Sequence, residues 1–325
     1  MGIHDTYLPF YSRFLITLRP PTEKQLRHLY ALYRPSPRSL FVYARNPHQY
    51  HTWVSSEVNN LSFSRLTKLL QSPDDATKTS HYLLSTRPSP TDRTVAERTI
   101  ASSYIVEIFC QRVVTNRLEM VRNLYDTLHS TPSTSTGAGM VFEHRAHQFL
   151  LEGRNIDLFP IIGHLSSKGK NFIYDDYTAT RDKTDRKQVA LYNLKEHIVT
   201  DEVGTRLEYN TYYRPRNADF PAIDSWVLIQ PNLQEPPIFL AFQITTNVDS
   251  HDAKRKGLDK VDKLGIPGGA QRYLVVLTHA GAEPKITVPM DYLKTKFPRA
   301  SDNYSVKFPV FHYPIDNDVL FQPKQ

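Results

Sequence analysis

Three polar side chains sit where an apolar sequence would be expected. In AIDSWVLI a carboxylate, Asp224, stands between Ile223 and Ser225 near the start of an apolar run, and in FLAFQITT Gln243 and Thr245 interrupt a second run, Gln243 lying 19 residues after Asp224. In a strand the side chains alternate, so Gln243 and Thr245 share one face and Phe242 and Ile244 the other. That geometry lets Asp224, Gln243 and Thr245 line one edge of a paired ribbon. A carboxylate among Ala222, Ile223, Trp226 and Val227 is costly to bury unpaired, which favours a functional role over a turn cap. Just downstream, HDAKRKGLDKVDKL carries Lys256, Lys260 and Lys263 at spacings of four and three residues, opposite Ala253, Gly257, Val261 and Leu264. Asp252, Asp259 and Asp262 partly neutralise this basic stripe, so a solvated face competes with attraction for a phosphate backbone.

The elements that must hold these groups follow from turn residues and periodicity. QPNLQEPP joins the two runs as a Pro-rich hairpin, a helix is expected from His251 to Leu264, and RYLVVLTH reads as a strongly apolar strand. Upstream, GMVFEHRAHQFLLEG reads as one helix with Phe142, Ala146, Phe149 and Leu150 inward. Glu143 lies beside that stripe, within reach of a sheet. LFPIIG, NFIYDDYTA, KQVALYNL and RLEYNTYY are further candidate strands, and MDYLKTKF a last short helix.

Residues 1 to about 130 read as mostly helical. TEKQLRHLYALY has a Thr cap and apolar residues at helical spacing; Pro35 and Pro37 forbid its continuation. YHTWVSSEVNNL and SFSRLTKLLQS are two more helices, and a longer one is expected from Val95 to about Leu128. TPSTSTGAG, 131–139, is expected to be a linker, because short polar residues and glycines hold no fixed conformation by themselves. The reading is therefore a helical domain over 1–130 and an α/β domain over 140–325.

With 325 residues, 40% apolar and 22% charged, the chain is an ordinary globular one, and two domains fit its length. The net charge of +7 and the isoelectric point near 9.2 are compatible with a polyanionic partner. The single cysteine, Cys110, cannot form an internal disulfide and reads as a core thiol, which suits a reducing, intracellular compartment. No apolar run approaches the roughly 18 residues that a membrane span needs.

The order of elements, together with FPAIDSW, FQIT and HDAK preceded by AGMVFEHRAHQFL, resembles the restriction-endonuclease-like core of the PD-(D/E)xK superfamily. Within it, the wording is similar to the C-terminal nuclease-like domains of Crinkler effectors and retrotransposon hot spot proteins, over roughly residues 136 to 280. The resemblance implies a mixed sheet flanked by helices. It also implies a site in which Asp224 and Glu143 hold Mg²⁺ or Mn²⁺, with Gln243 adding its amide carbonyl. Thr245 occupies the usual lysine position, and the replacement charge is assigned to Lys254, with His251 positioning water or contacting phosphate. Lys254, Lys256, Lys260 and Lys263 would follow the nucleic-acid backbone. SPRSLFVYARNP is similar to a segment of the ATPase region that precedes such domains, but no G-x-x-x-x-G-K-[ST] loop is present. ATP binding is therefore not expected, and the helical half reads as a remnant lid open to a protein partner. The activity implied is metal-dependent hydrolysis of DNA, in a nucleus if the chain is an effector; the alternative is a catalytically silent module that binds nucleic acid or protein.

Overall fold

An eight-stranded mixed sheet carries the second half of the chain, and its innermost strands are those with the least polar sequences. The computed structural model describes residues 20–71, 80–88, 92–94, 96–114, 118–130, 134–178, 186–199, 207–216, 223–247, 250–296 and 310–322. The first half comprises α1 (Glu23–Tyr33), α2 (Pro37–Tyr43), α3 (Pro47–Asn60), α4 (Phe63–Gln71), α5 (Ser80–Leu83), the hairpin β1 (Leu84–Pro88) and β2 (Ala96–Ile100), α6 (Ser103–Val114) and α7 (Leu118–His129). Helix α8 (Ser135–Leu151) leads into β3 (Arg154–Pro160), β4 (Ile162–Leu165), β5 (Asn171–Asp176), β6 (Lys187–Leu191), β7 (Lys195–Val199), β8 (Thr211–Pro215), β9 (Ser225–Ile229) and β10 (Ile238–Ile244). The chain ends with β11 (Ser250–Asp252), α9 (Arg255–Asp262), β12 (Gln271–His279), β13 (Lys285–Pro289), α10 (Met290–Lys296), β14 (Val310–Ile315) and α11 (Asn317–Leu320).

The large sheet has the order β6-β3-β14-β12-β10-β9-β8-β7, and a smaller one has β11-β13-β5-β4. Strands β9 and β10 form the expected antiparallel hairpin, Ile229 facing Ile238, and β10 then runs parallel to β12 through the α9 crossover. Both are interior strands, with every residue of each buried. Their near-continuous apolar sequences follow from being covered on both sides.

Two apolar cores lie on the two faces of the large sheet. Leu240, Phe242 and Ile244 of β10, Val227 of β9 and Val275 of β12 pack with Val141, Phe142 and Phe149 of α8 and with the first-half helices from Leu29 onward. Phe239, Ala241, Trp226, Leu228 and Val276 pack on the other side with Phe172 and Tyr174 of β5, Ile286 and Val288 of β13, and Leu258 and Val261 of α9. The small sheet and two helices therefore form a third layer.

Several expectations hold in local detail. Thr22 caps α1 through a capping box with Gln25, and the chain turns at Arg34, which is left-handed with φ 46, before Pro35. Gly153, with φ 77, ends α8 as a C-terminal glycine.

Others are corrected. The long helix expected from Val95 is interrupted: residues 96–100 pair with β1, Leu84 opposite Ile100, and a new helix starts where Ser102 Oγ accepts the Ile105 N–H at 3.3 Å. The described part of the expected linker is not a spacer. Helix α8 begins at Ser135, with Gly137 and Ala138 buried against the first-half helices, because small residues permit close helix packing; 131–133 lie outside the described residues. The helix expected from His251 starts instead at Arg255, with Lys254 at its N-cap. Residues 250–252 pair in parallel with β13, His251 opposite Ile286, and this sheet pairing overrides local helical spacing. Strands β7, β13 and β14 had no distinct sequence signal.

Candidate functional site

Asp224 stands one residue before β9 and is anchored to β10 on both sides of Gln243. Its N–H donates to the Phe242 carbonyl at 2.9 Å, and its Oδ2 accepts the Ile244 N–H at 2.6 Å. The carboxylate therefore closes the end of the hairpin, which is one reason for an acid at this position. Burial raises its pKa well above the usual range, the Glu143 charge raises it further, and the Ile244 N–H partly opposes both.

Glu143 reaches this point from α8. Gly139, one helical turn earlier, brings the helix close to the end of β10: a Cβ there would lie 3.4 Å from Thr246 Oγ1. Burial raises the Glu143 pKa, while the Arg214 guanidinium lowers it. Arg214, on β8, is held by Glu107 of α6 at 3.0 Å and by Glu196 of β7 at 3.1 Å. Thus a carboxylate on a helix acts on one at a strand start, and a cation from a third element acts on the helix carboxylate.

A buried hydrogen-bonded chain fixes this junction. His147, one turn after Glu143, bonds through Nδ1 to Tyr212 Oη at 2.7 Å, and Tyr212 Oη lies 2.6 Å from Ser225 Oγ, beside Asp224. Its Nε2 lies 3.7 Å from Glu143 Oε1. Burial, and next the Arg214 charge, push His147 and the adjacent His144 down to about 3, so both rings are neutral. The far end of α8 is held by Arg145, 1% exposed, whose Nη1 lies 2.6 Å from Glu152 Oε1.

The remaining expected site residues are distributed differently. Gln243 is buried on the face of Phe239 and Ala241, whereas α8 covers the opposite face. Thr245 is buried, its Oγ1 accepting the Asn247 N–H at 3.0 Å. Lys254 is exposed at the start of α9, and no lysine is among the charges acting on Asp224 or Glu143. His251 lies on β11, with its side chain outside the described positions. Lys256 and Lys263 are exposed and Lys260 is half-buried, while Gly257, Leu258 and Val261 face inward as expected.

No protein family, curated protein or solved structure matches this chain. Its chemistry is therefore argued from geometry. Among the described residues, no three His, Cys, Asp or Glu side chains group to hold a metal by themselves, and no helix is long and apolar enough to cross a membrane. Arg214, His147, Tyr212 and Glu107 were missed from sequence. A signal was present: Tyr212, Arg214 and Arg216 recur at strand period, and Glu143 and His147 at helix period.

Proposed function

We propose that this chain is a metal-dependent nuclease-like module that hydrolyses DNA phosphodiester bonds, with a restriction-endonuclease-like second half of the Crinkler type. The observation that carries the reading is the convergence of Glu143 and Asp224, distant in sequence, with the charge of one raising the pKa of the other. Two like charges held together in a partly desolvated place favour a cation or a proton between them. The donor set suits a hard ion. Mg²⁺ and Mn²⁺ take oxygen ligands, and Mg²⁺ usually relies on one or two carboxylates plus water and phosphate oxygens, so a cage of three acidic side chains is not required. Glu143 and Asp224 would hold the ion; Gln243, which the resemblance adds as a ligand, lies on the opposite face of the sheet from α8 and is left out of the set. Such an ion would supply charge neutralisation at the phosphate and a more acidic bound water.

The chain's own groups have distinct parts. Asp224, fixed by the Ile244 N–H, presents its other oxygen in one orientation. Arg214 supplies the positive charge sought in Lys254 and would stabilise negative charge developing on the phosphate. The His147–Tyr212–Ser225 chain keeps α8 and β9 in register. Cleavage of supercoiled plasmid with Mg²⁺ or Mn²⁺, compared between the native chain and Asp224→Asn, tests this. The substitution keeps an acceptor for Ile244 and removes the charge, so cleavage should fall by at least about a hundredfold, the scale of one transition-state charge contact. Cleavage equal in both would sink the reading.

A second reading is supported by Thr245, which offers no charge at the lysine position, and by Arg214, already shared by two carboxylates. A module that binds DNA and cuts nothing would show salt-dependent binding with intact plasmid.

A further inference from the structure

Beside Glu143 lies a pocket of about 50 Å³ with two polar groups, His144 and Arg216, that the proposed chemistry does not use. It lies between the first turn of α6, helix α8 and the end of β8, with Tyr104, Glu107, Glu143, His144, Arg214 and Arg216 on its walls. At roughly 10–15 Å³ per water, it has room for several waters or one small polar group.

Two of its polar groups await a partner. His144 is 6% exposed, and among the described residues neither ring nitrogen has a hydrogen-bond partner, which at this burial is costly unless an occupant supplies one. Arg216 lies with its Cζ 4.6 Å from the centre of the Tyr104 ring, and among the described residues no carboxylate pairs with it. Arg214, by contrast, is committed to Glu107 and Glu196. The N-terminal end of α6, where Ser103 and Tyr104 reach the pocket wall, adds a partial positive charge.

The balance of charge narrows the occupant. One uncommitted guanidinium and a helix N-terminus match a single negative charge, whereas Glu107 and Glu143 on the walls oppose a dianion. We propose that this pocket seats one phosphodiester of a nucleic-acid strand, bound by Arg216 and His144 beside the Glu143–Asp224 pair. That the ligand is a nucleic acid rests on the nuclease reading; that the pocket takes a singly charged phosphate does not.

Fluorescence anisotropy of the full chain, without divalent metal, against a short 5′-hydroxyl oligothymidylate and its 5′-phosphorylated counterpart tests the proposal. Arg216→Gln and His144→Gln should each weaken binding by about tenfold or more, the scale of a charged or buried hydrogen bond. Arg272→Gln, an equal loss of charge on β12, should change it by less than about twofold, and the terminal phosphate should make no difference. Should His144→Gln fold poorly, Arg216→Gln decides alone. Equal weakening by Arg216→Gln and Arg272→Gln, or no binding by the native chain, overturns the proposal. A strong preference for the phosphorylated end also overturns it, since the pocket would then hold a terminal phosphate. Plasmid cleavage measured in parallel separates the two ideas: cleavage without Arg216-dependent binding sinks the pocket alone, and Arg216-dependent binding without cleavage sinks the nuclease reading alone.

Discussion

Tyr212 shows how one hydroxyl ties the site to the scaffold. It bonds both His147 and Ser225, so Tyr212→Phe leaves two buried polar atoms unmatched and should cost about 1–3 kcal/mol in denaturant unfolding. A variant as stable as the native chain would show that this chain carries no load. His312 is also neutral, pushed down to about 4 by burial, with Nε2 2.8 Å from Thr278 Oγ1. Because its folded pKa is depressed, the unfolded chain takes up a proton that the native chain refuses. Stability is therefore lost as pH falls from about 6.5 towards 4. The Glu143–Asp224 pair, raised on folding, acts in the opposite sense, so the comparison must be with His312→Gln. Between about pH 7 and pH 5 the native chain should lose about 2 kcal/mol more than the variant; parallel losses would contradict it. The Cys110 thiol is pushed up to about 12, chiefly by burial, and is fully buried, so a thiol reagent at neutral pH should modify it only at the rate of unfolding. Fast labelling of folded protein would refute that. This residue was legible in the sequence because Ile105, Val106, Ile108 and Phe109 precede it and Val113 and Val114 follow it.

Elements were legible where one local signal acted alone. The capped α1, the α9 apolar face and the Pro-rich β9–β10 hairpin all follow from short-range chemistry. Residues 250–252 were not legible, because their conformation is set by pairing with β13, more than 30 residues away. Strand β4 illustrates a packing constraint with no pattern in the sequence. A Cβ at Gly163 would come within 2.3 Å of Phe172 Cε1 and 2.7 Å of Tyr174 Cδ1, so those two rings occupy the space a side chain would need. Gly163→Ala should displace them and destabilise by about 1–3 kcal/mol, read by thermal or denaturant unfolding. A neutral effect would mean that β4 can lift away from β5 at little cost.

For the whole molecule, α8 binds the two halves. Its inward residues share one apolar core with first-half helices and with the large sheet, and polar contacts cross as well: Arg122 to Asp318 at 2.6 Å and Arg214 to Glu107 at 3.0 Å. Tyr125 lies 6.1 Å from Phe142 and 5.4 Å from Phe321, centre to centre. A fragment over 140–325 would expose that apolar face, so it should aggregate or lack cooperative unfolding, whereas the full chain should unfold in one transition. A monomeric fragment with a sharp transition would show that the α/β half is independent.

The sequence by itself determined the mixed α/β character, the hairpin carrying Asp224 and Gln243, and the inward faces of α8 and α9, because strand and helix periodicities and turn residues act over a few positions. Only the tertiary structure decided that the Glu143 charge bears on Asp224, that Arg214 is the cation acting on Glu143, and that Gln243 lies on the other face of the sheet. Those outcomes depend on the order of strands and the seating of one helix, which are set by long-range packing that no local pattern encodes.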